Sequence, residues 1–212
     1  MSRAPQLARF LARRGIRDER VLAAIAAVPR EQFVPENVRR HAYADRALPI
    51  GHEQTISQPY MVAAMLEALE LDGGRVLDVG TGSGYQAAVL AELADDVITI
   101  ERVPELAEQA RATLEAAGYG RVDVRVGDGT LGVPERAPYD GIVVAAAAPA
   151  VPDALYEQLA VGGRLVVPVG TVRDQWLEVV EHSAEGPLRR RTVPCRFVPL
   201  LGSAGFDERR RG

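Results

Sequence analysis

Residues 76–85 read Val-Leu-Asp-Val-Gly-Thr-Gly-Ser-Gly-Tyr, and this stretch decides the fold. Its first four residues form a short apolar run that predicts a buried strand, and the alanine-rich pattern at 86–94 predicts a helix. Gly80, Gly82 and Gly84 separate the two elements. A strand that turns sharply through glycines into a helix directs main-chain N–H groups at an opening where a nucleotide-like ligand binds. The stretch therefore predicts a nucleotide site at the end of a strand.

A GxGxG spacing by itself also fits a glycine-rich structural turn, but two further elements favour a ligand site. The predicted strand 97–100 ends at Glu101, an acidic residue placed to accept both hydroxyls of an adenosyl ribose. Asp128, between two glycines, follows the predicted strand 122–126, where an adenine edge would lie. Three correctly spaced elements together predict a nucleotide-like cofactor.

Asp78 lies inside the first predicted strand, two residues before the first glycine. A carboxylate there is costly to bury unless it is paired. It is placed to reach the cationic amino group of S-adenosyl-L-methionine (SAM), directly or through water. NAD is expected to bind poorly, because the turn lacks the GxGxxG spacing. The predicted cofactor-binding residues are Asp78, Gly80, Thr81, Gly82, Gly84, Glu101, Asp128 and Gly129.

Composition narrows the class of protein. The chain has 212 residues with 47% apolar content, enough for one α/β domain with a sizeable core. A net charge of −4 argues against generic binding to nucleic-acid phosphates. Cys195 is the single cysteine, so neither a disulfide framework nor a zinc cluster is expected, and no metal is predicted. The N-terminus lacks an apolar signal region and no run approaches about 18 apolar residues. We expect a cytoplasmic monomer that does not bind membranes.

The rest of the chain predicts an α/β fold. Leu7, Phe10 and Leu11 recur at helical spacing, and Asp18 is placed to cap a second helix. Five predicted strands then alternate with helical stretches, at 76–79, 97–100, 122–126, 139–144 and 164–168. That rhythm is typical of right-handed βαβ units in a parallel sheet. Helices are predicted at 60–71, 85–94, 104–117 and 152–159, and an antiparallel pair of strands at 176–181 and 192–198.

The segment 29–59 has no regular periodicity, but its apolar and aromatic residues favour an ordered loop. It ends in a polar run that leads into the predicted helix 60–71. Pro59 suits the first turn of that helix. From the local pattern alone, a helix cap is the favoured interpretation of Ser57.

Several short segments occur together in one order. They are Thr-Ile-Ser-Gln-Pro at 55–59, Leu-Asp-Val-Gly-Thr-Gly-Ser-Gly-Tyr at 77–85, Gly-Asp-Gly at 127–129, Ala-Ala-Ala-Pro at 146–149, Gly-Gly-Arg-Leu-Val-Val-Pro-Val-Gly at 162–170 and Arg-Phe-Val-Pro-Leu at 196–200. With these segments the chain resembles the protein-L-isoaspartate O-methyltransferase family over residues 28–201. The glycine stretch alone indicates only a SAM-dependent methyltransferase. The segment 55–59 is the family-specific mark, and it makes Ser57 a candidate active-site residue.

The resemblance implies a Rossmann-like SAM-dependent methyltransferase fold: a mostly parallel twisted sheet with helices on both faces, an N-terminal helical cap and antiparallel C-terminal strands. One domain is expected over residues 1–201. Within it, 1–59 supplies the N-terminal helices and active-site segment, and 60–201 the SAM-binding core and C-terminal strands. Residues 202–212 match no pattern and are expected to be a flexible tail.

The resemblance also implies an activity. Members methylate the free carboxylate of L-isoaspartyl residues in damaged proteins and peptides, and some also accept D-aspartyl residues. The ester then closes to a succinimide, whose hydrolysis returns part of the material to normal aspartate. By position, Ser57 matches the active-site serine, Glu101 the ribose-binding acid, and Asp128 with Gly129 the adenine side. The residues expected to contact substrate are Thr55, Ile56, Gln58, Pro59, Phe197 and Val198.

The chemistry of this reaction places few demands on the side chains. A carboxylate with an ordinary pKa of about 3.9 is ionised at neutral pH, so no general base is required. Ser57 is expected to orient a carboxylate oxygen as a hydrogen-bond donor and not to act as a nucleophile. Pro199 suggests a strand end or edge, so the stretch 196–200 is predicted to pair with an extended peptide.

Two alternatives stay open from the sequence. One is a SAM-dependent methyltransferase that acts on another carboxylate or a small molecule. The other is a catalytically idle nucleotide-binding or partner-binding module on the same fold. The glycine turn, Glu101 and Ser57 together weigh against the idle module.

Overall fold

The computed structural model describes residues 3–171 and 173–207, so the arginine run 209–211 lies outside the described residues. The α-helices are α1 (Ala4–Arg13), α2 (Glu19–Ala27), α3 (Pro59–Leu69), α4 (Tyr85–Ala91), α5 (Pro104–Ala116) and α6 (Asp153–Tyr156). The strands are β1 (Leu48–Gly51), β2 (Gln54–Ile56), β3 (Arg75–Val79), β4 (Asp96–Glu101), β5 (Asp123–Val126), β6 (Tyr139–Val144), β7 (Leu159–Gly170), β8 (Gln175–Ser183) and β9 (Gly186–Cys195). Short 3-10 helices cover Arg30–Phe33, Glu36–His41, Gly129–Leu131 and Pro134–Arg136.

The main sheet has the strand order β5-β4-β3-β6-β7-β8-β9. The first five of these strands run parallel, and β8 and β9 are antiparallel to their neighbours. The predicted fold class is therefore confirmed. Strand order reverses at β3, which lies between β4 and β6. In open α/β sheets, ligands bind beyond the carboxyl ends of the strands at such a reversal.

Side chains alternate between two cores, one on each face of the sheet. Val76 of β3 belongs to a cluster that includes residues of α1 to α5, whereas Leu77 and Val79 belong to a second cluster with Leu155 of α6. Successive residues of a strand point to opposite faces, so one apolar strand serves both cores. Burial of both faces stabilises the sheet that holds the glycine turn.

The N-terminal region is ordered as expected. The Asp18 side chain accepts hydrogen bonds from the backbone nitrogens of Arg20 and Val21 and so caps α2. The irregular segment 29–59 contains two 3-10 helices and the antiparallel hairpin β1–β2. The cap of α3 is Gln58, which makes no side-chain capping bond. The helix-cap interpretation of Ser57 is therefore wrong.

Two predicted boundaries in the second half of the chain are also wrong. Strand β7 begins at Leu159 and not at 164, and the predicted helix 152–159 shortens to Asp153–Tyr156. Leu159 pairs with Tyr139, and the register shifts between Tyr139 and Gly141. Strand β9 covers Gly186–Cys195 and not 192–198. In each case pairing with a neighbouring strand overrides the local pattern, as tertiary context does for short elements.

The segment after Leu201 returns to the sheet. The backbone nitrogen of Ser203 donates to Asp128 Oδ2 at 2.8 Å, and that of Ala204 donates to Thr130 Oγ1 at 3.0 Å. Residues 202–207 thus lie beside the predicted adenine end. Flexibility of the terminus stays a prediction, and residues 208–212 lie outside the described part of the chain. None of the described helices is both long enough and apolar enough to cross a bilayer.

Candidate active site

A cleft opens at the carboxyl ends of β3, β4 and β6, where the strand order reverses. Its lining residues come from the hairpin, the glycine turn, the end of β4 and the C-terminal segment. Of the predicted site residues, those that line it are Thr55, Ile56, Ser57, Gly80, Thr81, Gly82, Glu101, Gly129 and Val198. The tertiary structure therefore brings together residues that lie more than 140 positions apart in sequence.

The glycine turn forms the floor of this cleft. Gly82 has φ +52°, a left-handed conformation that side chains adopt rarely, and an added Cβ would lie 3.4 Å from Ile50. At Gly129 the constraint is space, because a Cβ there would lie 2.6 Å from Val79 Cγ1. The positive φ explains the glycine at position 82, and the close approach of Val79 explains the glycine at position 129. Both residues line the cleft with backbone atoms alone.

Glu101 lies at the end of β4, with only 6% of its surface exposed. Its Oε2 accepts a hydrogen bond from Gly82 N at 2.9 Å, and its Oε1 accepts one from Val103 N at 3.1 Å. These two bonds fix the carboxylate against the glycine turn. An ionised carboxylate has about four acceptor positions, so capacity for two ligand hydroxyls is left. Glu101 suits the ribose of the predicted cofactor.

Asp78 lies beneath the glycine turn and is completely buried. Gln86 Nε2 donates to its Oδ1 at 2.8 Å, and Thr99 Oγ1 donates to its Oδ2 at 2.9 Å. Burial raises the pKa of Asp78 to about 7, although these two hydrogen bonds act in the opposite direction. Asp78 is not among the residues that line the cleft. Its contact with the cofactor stays a prediction, and the geometry favours an indirect one.

Gln86 was missed by the sequence reasoning. It lines the cleft, and its Oε1 is buried without a hydrogen-bond partner. Buried acceptors normally have donors, so this oxygen suits a ligand donor such as an ammonium group. A glutamine inside an alanine-rich helical pattern looks like an ordinary surface residue in the sequence. Only the folded structure, in which Gln86 donates a hydrogen bond to Asp78, places this residue at the cleft.

At the predicted adenine end, Gly129 lines the cleft but Asp128 does not, and in the glycine turn Gly84 does not line it either. The Asp128 carboxylate accepts hydrogen bonds from Thr130 and from Ser203. Partial burial raises the pKa of Asp128, but these bonds outweigh it and the net shift is downward. A role for Asp128 and Gly84 in contact with the cofactor stays a prediction.

Ser57 follows the hairpin β1–β2 and lies where two cavities meet. A second cavity adjoins the cleft, and both are lined by Thr55, Ser57, Ala145 and Val198. Gln58 and Phe197 line the second cavity, whereas Pro59 lines neither. Since its hydroxyl caps no helix, Ser57 is free to serve a ligand in either cavity. This junction is where a methyl donor and an acceptor would meet.

The predicted peptide-pairing edge at 196–200 is wrong in its main-chain detail. Phe197 N donates to Gln175 Oε1 at 2.7 Å, and Phe197 O accepts from Gln175 Nε2 at 3.3 Å. Leu200 N donates to Ala147 O at 2.7 Å. These groups already have partners, because the segment runs beside Ala147 instead of continuing β9. Phe197 and Val198 can still offer side-chain contacts in the second cavity.

A glycine turn at the reversal point of a parallel sheet, with a fixed carboxylate at the tip of the next strand, defines a Rossmann-like protein that binds a nucleotide-type cofactor. The comparisons with known proteins then give the family. The protein-family model described as Protein-L-isoaspartate(D-aspartate) O-methyltransferase (PCMT) matches residues 2–205 of the sequence. The chain belongs to this family.

Curated relatives and solved structures agree with that assignment. A protein-L-isoaspartate O-methyltransferase 2 from Marinobacter nauticus is 59% identical over 196 residues, which cover 91% of this chain and 90% of the relative. One from Anaeromyxobacter dehalogenans is 58% identical over 199 residues, 92% of this chain and 95% of the relative. A solved protein-L-isoaspartate O-methyltransferase superposes with a TM-score of 0.85 at 31% identity, covering 94% of this chain and 66% of that chain.

A Plasmodium falciparum protein assigned to the same enzyme class, solved in complex with S-adenosyl-L-homocysteine, has a TM-score of 0.82 at 27% identity. The superposition covers 93% of this chain and 98% of that chain. Its ligand is what remains of SAM after methyl transfer. The cofactor predicted from the glycine turn thus agrees with the ligand of a structural relative.

Proposed function

We infer that this chain transfers the methyl group of SAM to the free carboxylate of L-isoaspartyl residues in damaged proteins and peptides. The following backbone amide nitrogen of the substrate then attacks the ester carbonyl and releases methanol, and the succinimide that forms begins the repair. The observation that carries this inference is the position of Ser57 at the junction of the cleft and the second cavity. Family membership, which the family model shows over residues 2–205, supports it.

The cleft has hydrogen-bond acceptors that suit the hydroxyl and ammonium groups of the cofactor. We propose that Glu101 accepts the ribose hydroxyls, that the bare backbone of Gly80 and Gly82 allows close approach, and that Gly129 lies beside the adenine. Gln86 Oε1 supplies a buried acceptor without a partner. When bound, SAM supplies an electrophilic methyl group on a sulfonium.

The protein's task is then to place the acceptor. The isoaspartyl carboxylate is already ionised, so the enzyme has to hold its oxygen in line with the methyl carbon and the sulfur. Such positioning supplies at most about 7–11 kcal/mol of rate enhancement. We propose that the Ser57 hydroxyl donates a hydrogen bond to one carboxylate oxygen and leaves the other free to attack. Anion and sulfonium neutralise each other as the bond forms, so a site shielded from water favours the transition state.

Substrate selection is proposed to occur in the second cavity. Its walls combine Thr55 of the hairpin and Gln58, which follows it, with Phe197 and Val198 from the C-terminal segment. An isoaspartyl residue has an extra methylene in the backbone, which shifts its free carboxylate relative to the peptide. A cavity that fixes the peptide on one side of Ser57 discriminates by that shift. Pro59 would act only indirectly, as the first residue of α3.

A pair of sequence-matched peptides tests this function. One contains an isoaspartyl residue and the other a normal aspartyl residue, and methyl transfer from labelled SAM is measured for both. We expect methylation of the isoaspartyl peptide and little or none of its partner. Equal rates on the two peptides, or transfer only to free small acids, would sink the repair function while leaving a SAM-dependent methyltransferase.

We also propose that the enzyme works as a cytoplasmic monomer without nucleic-acid or membrane partners. The net charge of −4 supports this, because binding to phosphates requires clustered positive charge. The exposed run 189–191 on β9 is part of a solvent-facing hairpin, and Arg191 pairs with Glu178. Light scattering of the purified chain measures its mass in solution.

A further inference from the structure

Arg30 lies in the 3-10 helix that follows α2, and its side chain is completely buried. Arginine is almost never fully buried unless its charge has partners. Burial lowers the pKa of Arg30, and the nearby Tyr85 acts against that shift. The guanidinium nonetheless stays charged in proteins. A buried cation in this place needs a physical explanation.

The guanidinium joins three separate segments. Its Nε donates to Ala42 O at 2.9 Å, and its Nη2 donates to Ser57 O at 2.6 Å. Its Cζ lies 4.6 Å from the centroid of the Tyr85 ring. Neither hydrogen bond goes to a carboxylate, so these contacts are not an ion pair. They use the planar fork that distinguishes arginine from lysine.

Two of these three contacts are made with residues that line the cleft, Ser57 and Tyr85. Ser57 belongs to the junction of the two cavities, and Tyr85 is the first residue of α4, directly after the glycine turn. A bond to the carbonyl oxygen of Ser57 fixes the backbone that carries the hydroxyl. The ring contact fixes that backbone relative to the cofactor floor.

We propose that Arg30 is a positioning residue for methyl transfer, which sets the place of Ser57 relative to the glycine turn. This inference rests on the proposed role of Ser57. In-line transfer is sensitive to such placement, because a shift of about 1 Å can cost roughly 100-fold in rate. Arg30 touches neither substrate nor cofactor in this account; it acts through Ser57.

The fork and the charge can be separated by substitution. Arg30→Lys keeps the positive charge but cannot donate to both carbonyl oxygens in one plane, whereas Arg30→Met removes both. If the fork matters, both variants lose kcat. We expect a loss of roughly 10- to 100-fold in each, with the dissociation constant of SAM changed less than about 3-fold. A wild-type kcat in Arg30→Lys would overturn the proposal.

Phe33→Leu is the matched control for packing. Phe33 lies in the same 3-10 helix, is buried, and contacts the Tyr85 ring edge-on with centroids 5.7 Å apart. The substitution disturbs the same ring but keeps both carbonyl bonds of Arg30. All variants are assayed at a temperature where circular dichroism shows them folded. We expect Phe33→Leu to lower the melting temperature and to leave kcat per folded molecule within about 2-fold. An equal loss of kcat in Phe33→Leu and Arg30→Met would reduce Arg30 to a packing role.

A double-mutant cycle with Ser57→Ala completes the experiment. If Arg30 acts through the Ser57 hydroxyl, Arg30→Lys should cost at most about 2-fold in the Ser57→Ala background. If Ser57→Ala is itself slow and Arg30→Lys lowers kcat as much in that background as in the wild type, only the proposed action of Arg30 through Ser57 is overturned. A Ser57→Ala variant with wild-type kcat would instead overturn the role of Ser57. The two failures are therefore distinguishable.

Discussion

The two walls of the proposed reaction site are built in different ways. The cofactor wall consists of the glycine turn and Glu101, which are close in sequence and lie at the ends of adjacent parallel strands. The acceptor wall joins Ser57 to a segment near Val198, which is tied to the protein by Gln175 and Ala147. The first wall comes from the ends of two consecutive strands, whereas the second depends on contacts between segments far apart in the sequence. A motif therefore identifies the cofactor far more directly than it identifies the acceptor.

A buried carboxyl group, that of Asp78, lies beneath the cofactor wall and makes the stability of the protein depend on pH. Its pKa of about 7 in the folded protein exceeds the ordinary 3.8. The folded state therefore holds a proton that the unfolded state has released, so stability falls as pH rises from about 4 to about 7 and is level above that. The expected loss is at most about 4 kcal/mol.

Asp78→Asn should remove this pH dependence. The Asn amide can donate to Gln86 Oε1 after a turn of the Gln86 amide, so the hydrogen bonds survive. Urea unfolding at pH 5, 6, 7 and 8 gives the free energies of both proteins, with Glu105→Gln on exposed α5 as a charge control. We expect the free energy of unfolding of Asp78→Asn to increase relative to that of the wild type as pH rises. A difference that stays constant with pH would contradict a protonated Asp78.

Glu101→Ala tests whether cofactor binding can be weakened without a comparable effect on peptide binding. Hydrogen bonds between a charged acceptor and ribose hydroxyls are worth roughly 1.5–3 kcal/mol, so the dissociation constant of SAM should rise roughly 10- to 150-fold. Titration calorimetry with SAM measures this, and Glu105→Ala is the control. The KM for an isoaspartyl peptide should change only a few-fold. A larger change in the peptide KM than in SAM affinity would show that the two walls are not separable. Tighter binding of NAD than of SAM to the wild type would overturn the assignment of SAM as the cofactor.

Ser57→Ala makes the corresponding test of the acceptor wall. Loss of an orienting hydroxyl should cost roughly 1–3 kcal/mol, or about 5- to 150-fold in the rate with saturating SAM. The dissociation constant of SAM should stay close to that of the wild type. Ser83→Ala is the matched control, since Ser83 lines the cleft on the cofactor side and accepts a bond from Tyr85 N at 3.3 Å. A loss on the order of a million-fold would mean covalent catalysis by serine, contrary to the orienting role.

The predictions of local structure were correct where a few consecutive residues determine the backbone conformation. The glycine turn and the strand ending at Glu101 occur where the pattern placed them, because strand periodicity and glycine conformation are properties of a few consecutive residues. Ser57 needed the family resemblance, since its local pattern favoured a cap. Arg30 and Gln86 gave no signal, because an arginine and a glutamine look like surface residues until their partners are known.

By itself, the sequence determined the alternating strands and helices, the place of the glycine turn, and the class of cofactor. These follow from side-chain period, glycine freedom and the chemistry of one carboxylate. Only the tertiary structure decided that β7 extends back to Leu159, that the stretch after β9 bonds to Gln175 and Ala147, and that Arg30 donates a hydrogen bond to the carbonyl oxygen of Ser57. Each of these depends on hydrogen bonds between residues distant in sequence, and a linear pattern contains no information on which distant donor meets which acceptor.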